Sequence, residues 1–100
     1  MEVSADQLRE AVESQHGGKA TVICAVEVRD TFDGEVAWHG LVYVFALENH
    51  PTATRAYAWS RVLDEATGKR RFYAVLGAGP VKSPTEAVRA ALVAEHRGQA

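Results

Sequence analysis

The chain has 100 residues, 47% of them hydrophobic and 24% charged, and a net charge of −2. That length suits one core and not two, so a single domain over residues 1–100 is expected. The acidic balance argues against a general nucleic-acid binder, no apolar run reaches membrane-spanning length, and a lone cysteine, Cys24, excludes an internal disulfide.

The opening Met1-Glu2-Val3-Ser4 has no basic stretch ahead of an apolar one. No secretory signal is read, and a reducing cytoplasm is expected. Charge is uneven along the chain: residues 1–54 hold three bases and nine acids, residues 55–100 eight bases and four acids. The basic half contains "RAYAWSR" and "GKRRF", an asymmetry of the kind that can steer a partner.

Ser4 followed by Gln7 has the spacing of a capping box, and Leu8, Ala11, Val12 and Gln15 mark one helical face. Gly17-Gly18 is the expected stop. "TVICAVEVRD" is rich in β-branched residues and reads as a strand, and Asp33-Gly34 is a two-residue hairpin signal returning it as "VAWHGLVYVFAL". That loop predicts Phe32 opposite Glu35, Val26 opposite Leu41, Cys24 opposite Tyr43 and Val22 opposite Phe45. The core face would then hold Val22, Cys24, Val26, Val28, Leu41, Tyr43 and Phe45. Ile23, Ala25, Glu27 and Arg29 would share the other face with Trp38, Gly40, Val42 and Val44.

"ENHPTA" is a loop in which Pro51 restricts His50 to an extended backbone. "TRAYAWSRVLD" and "KRRFYAVLG" are the third and fourth strands. With Ala66-Thr67-Gly68 as the turn, Glu65 is expected opposite Lys69, Arg61 opposite Tyr73 and Trp59 opposite Val75. Ala56, Ala58, Ser60 and Val62 then share a face with Phe72, Ala74 and Leu76; a four-residue loop would reverse that parity. The last helix has Ser83 as N-cap, Pro84 at its first position, Glu86 three residues after the cap and Gly98 as its end. Ala87, Val88, Ala91 and Leu92 form its apolar stripe.

The predicted fold is α+β, order α-β-β-β-β-α: a four-stranded antiparallel meander with both helices on one face, in two layers. The order is similar to that of the double-stranded-RNA-binding domain: helix, three strands, helix. That family carries a lysine cluster at the start of its last helix. This chain has "KSPTEAVRA" there, with Lys82, Arg89 and the acidic Glu86, and one strand more. No RNA-binding residue is carried over, and no family is assigned.

If the helices cover the small face, the opposite face carries Trp38, Arg55, Tyr57, Trp59, Arg61, Arg71 and Tyr73, joined by Ile23, Val42, Val44 and Val75. So much aromatic surface needs a cover, because monomers rarely expose contiguous apolar patches of more than a few hundred Å². The expected function is therefore a protein-interaction or homo-oligomerising module, closed as a homodimer through this sheet face; Trp, Tyr and Arg are the residues enriched at interface hot spots. The alternative is a single-stranded nucleic-acid platform, with bases stacked on the aromatics and phosphates on the arginines. A small enzyme or ligand-binding protein is the third reading. His50, on a loop, and His39, on the expected core-side set beside Val28, are its candidates.

No two of His16, His39, His50 and His96 have metal-ligand spacing, so neither metal nor other cofactor is expected. His16 and His96 fall near helix C-termini, where an imidazolium suits the helix dipole. Cys24 is expected to be a buried, inert thiol.

Overall fold

The computed structural model describes residues 4–32, 35–64, 66–79 and 81–98, with side chains throughout except at 30–32, 35–38, 63 and 95–98. The elements in chain order are α1 (Ala5–His16), β1 (Lys19–Phe32), β2 (Glu35–Glu48), β3 (Arg55–Asp64), β4 (Lys69–Leu76) and α2 (Pro84–Gly98). The strands form one antiparallel sheet in the order β1-β2-β3-β4, so every strand pairs with its sequence neighbour. Element types, their order and the meander match the expectation.

Local chemistry sets both helix starts. The Ser4 hydroxyl accepts from the Gln7 N–H, and the Gln7 side chain accepts from the Ser4 N–H, completing the capping box. At α2 the Ser83 hydroxyl accepts from the Glu86 N–H, while the Glu86 carboxylate reaches back to the Lys82 N–H. Gly17 and Gly18 end α1 with φ of +80° and +77°. Gly18 has a second reason to be glycine: a Cβ there would stand 2.8 Å from the Glu48 carbonyl oxygen.

The two helices pack on opposite faces of the sheet, not on one. Leu8 and Val12 of α1 are buried with Phe45, Leu47, Ala56, Ala58 and Ala74. Ala87 and Val88 of α2 are buried with Val28, Val42, Val44, Tyr57 and Trp59. The pairings Val44–Tyr57 and Phe45–Ala56 show that these are the two sides of one sheet. The physical reason is that both sides of β2 and β3 are apolar at their centre, so one helical layer would leave the other side bare. The result is three layers, α1 over the small face and α2 over the aromatic face.

Two irregularities alter the β1–β2 register. The predicted pairings hold at both ends, Val22–Phe45 and Phe32–Glu35. Between them the pairing slips by one residue, because Ile23 on β1 and Ala37 on β2 are each extra. Cys24, Val26 and Val28 therefore lie opposite Val44, Val42 and Gly40 instead of the predicted partners. A one-residue slip moves every side chain in the stretch to the other face. The predicted turn residues Asp33-Gly34 lie outside the described residues.

The second hairpin shows the reverse outcome. Asp64 pairs with Lys69 across a four-residue loop, and Leu63 is extra on β3. The extra residue restores the parity that this loop would reverse. Ala56, Ala58 and Ser60 thus do share a face with Leu76, Ala74 and Phe72, while individual partners move by two: Arg61 faces Arg71 and Trp59 faces Tyr73. Glu65, expected opposite Lys69, lies outside the described residues.

Candidate functional site

The predicted aromatic surface is interior. Tyr57 and Trp59 are each 3% exposed beneath α2, where Ala91 and Leu92 pack beside them. The Trp59 and Tyr73 rings stack with centroids 5.2 Å apart and planes 7° from parallel. The Arg71 guanidinium lies 5.1 Å from the Tyr73 centroid, within cation–π range. The rings are thus engaged within the chain. Neither a sheet-stacked homodimer nor a base-stacking platform finds Tyr57 and Trp59 at the surface. Arg55, Arg61 and Arg71 remain exposed on this side, and the side chain of Trp38 lies outside the described residues.

The histidines have structural occupations. His50 Nδ1 accepts from the Thr52 and Ala53 N–H groups at 3.2 and 3.1 Å, so the imidazole shapes the β2–β3 turn. His39, expected beside Val28 on the core side, is exposed and opposite Arg29, with its Nε2 3.1 Å from Glu27 Oε1. The register slip is the cause. His16 Nε2 donates to the Ala74 carbonyl at 2.6 Å and ties the end of α1 to β4. Among the described residues no group of three or more His, Cys, Asp or Glu side chains could hold a metal ion. Every buried side-chain polar atom among them has a partner, leaving none aimed into an empty site.

The uncovered apolar surface lies at the first strand. Every residue from Thr21 to Glu27 is exposed, whichever face it points to. Val22 is 46%, Ile23 51% and Val26 38% exposed, and Leu41 on β2 is 50% exposed. Cys24 is exposed within this run, contrary to the expectation of a buried thiol. Exposure on both faces at once means that neither helix covers this stretch, and β1 is in addition an edge strand with a single neighbour. The edge is blocked at its start, where Glu13 Oε2 accepts the Ala20 N–H at 2.9 Å.

Sequence reasoning missed this surface because "TVICAV" is a near-continuous apolar run. Such a run reads as a strand buried on both faces as readily as an edge. The one available signal was the pair of flanking charges, Glu27 and Arg29, of a kind that edge strands often carry. No family model, no curated protein and no solved structure matches the chain. Among the described residues no helix is long and apolar enough to cross a membrane.

Proposed function

We propose that this chain is a protein-interaction module that self-associates through the β1 edge and the adjoining part of β2. The observation behind it is the unbroken exposure of Thr21–Glu27, with Val22, Ile23, Val26 and Leu41 each at least 38% exposed. A long apolar strand edge is a template for another strand; here the Glu13 contact and the extra residue Ile23 guard only the start of β1, and the later charges, Glu27 and Arg29, are of opposite sign. The reading keeps the homodimer expected from the sequence and moves its contact from the aromatic face to the edge. A reducing cytoplasm fits it, since Cys24 is an exposed thiol.

The test is solution mass by sedimentation across a dilution series. Twice the chain mass, falling to the single mass on Val26→Asp with an unchanged circular dichroism spectrum, supports the reading. A single-chain mass at every concentration overturns it.

A further inference from the structure

We infer that β1 pairs antiparallel with β1 of a second copy across a two-fold axis through Val28, joining two four-stranded sheets into one. The inference rests on the self-association reading above and names its register. Two separate observations lead to the same axis.

The first is where β1 is regular. The extra residue Ile23 bends the strand, and the Ala20 N–H before it is already taken by Glu13. The second irregularity places its extra residue, Ala37, on β2, so β1 runs without interruption over residues 24–32. Full overlap of that segment with its symmetry mate puts the axis at its midpoint, Val28.

The second is charge. In a two-fold antiparallel pair, residues equally spaced about the axis face each other on the same side of the sheet. An axis at Val28 sets Glu27 opposite Arg29 of the second copy, and by symmetry Arg29 opposite its Glu27. Both side chains are exposed and lie on the face of Leu41 and His39, and Arg29 has no ion-pair partner among the described residues. Neighbouring axes do worse. An axis at Glu27 or at Arg29 would set like charges face to face, and one at Val26 would set Glu27 against Ala25. An axis between two residues would oppose side chains from different faces.

The charge pattern thus allows β1 to pair with itself in one register and discourages the adjacent ones. It also explains why an edge with apolar Val22, Ile23 and Val26 carries opposite charges two residues apart: closure about a two-fold stops further addition.

Exchange of the two charges tests it. Glu27→Arg and Arg29→Glu are measured by sedimentation alone, in equimolar mixture and combined in one chain. Opposed cross-strand charges change from attractive to repulsive at both symmetric positions, so each single variant is expected to weaken association by about tenfold or more. The mixture and the double exchange each restore opposite pairs, and both are expected to return to within about threefold of the unaltered chain. If the unaltered chain is dimeric but the single variants match it, or the mixture shows no recovery, the Val28 axis is wrong while self-association stands. If the unaltered chain is monomeric throughout, the self-association reading fails and takes this inference with it.

Discussion

Residues 42–45 of β2 and 21–27 of β1 are neighbours in one sheet and both rich in β-branched residues, yet one stretch is the core and the other is bare. Val42, Val44 and Phe45 lie under helices on both sides, with β1 and β3 as their flanks. Residues 21–27 have a strand on one flank and no helix over their middle. Position across the sheet explains the difference. Residues 21–27 pair with 41–46 and so stand at the same level along the strands as the buried stretch, but on the outermost strand. The helices centre on β2 and β3, and of the apolar residues of β1 they bury Ala20 and Val28 to either side of this stretch. Burial here is a property of position in the sheet more than of residue type.

Substitutions at the centre should hurt most. Trp59→Ala removes a buried ring from between β3 and α2 and is expected to cost about 3–5 kcal/mol in urea unfolding. Its effect is on folding, so a loss confined to association would break the contrast between centre and edge. Leu8→Ala tests the α1 side in the same way and should cost about 2–5 kcal/mol. Gly18→Ala acts at the joint between α1 and β1. With φ of +77° and the Glu48 carbonyl 2.8 Å from a new Cβ, a loss above ~1 kcal/mol is expected. Ser4→Ala should remove about 1 kcal/mol with the capping box. At the edge, Val26→Asp should leave unfolding of the dilute protein within about 0.5 kcal/mol of the parent, while lowering its association. A large stability loss at Val26 would place the residue in the core and erase the distinction.

The helix termini were legible because a cap is a local arrangement. Ser4 with Gln7, and Ser83 with Pro84 and Glu86, specify their hydrogen bonds within a few residues. The second hairpin was legible in its faces and not in its partners, since a longer loop and the extra Leu63 shift the parity in opposite senses. His39 and Cys24 were misplaced for the complementary reason: Ile23 and Ala37 each insert one residue, and no residue type in "TVICAV" or "EVAWHG" announces an insertion.

The sequence alone determined the helix caps, the strand order of the meander and the small-versus-aromatic division of β3. Each depends on spacing along a few residues. Only the tertiary structure decided that α2 crosses to the aromatic face, which makes Tyr57 and Trp59 interior and leaves Thr21–Glu27 as the open surface. Alternation reveals that a strand has two faces, but which face a distant helix covers depends on the free energy of the whole assembly. Here both faces at the centre were apolar, and one helix on each buries more of that surface than two on the same side.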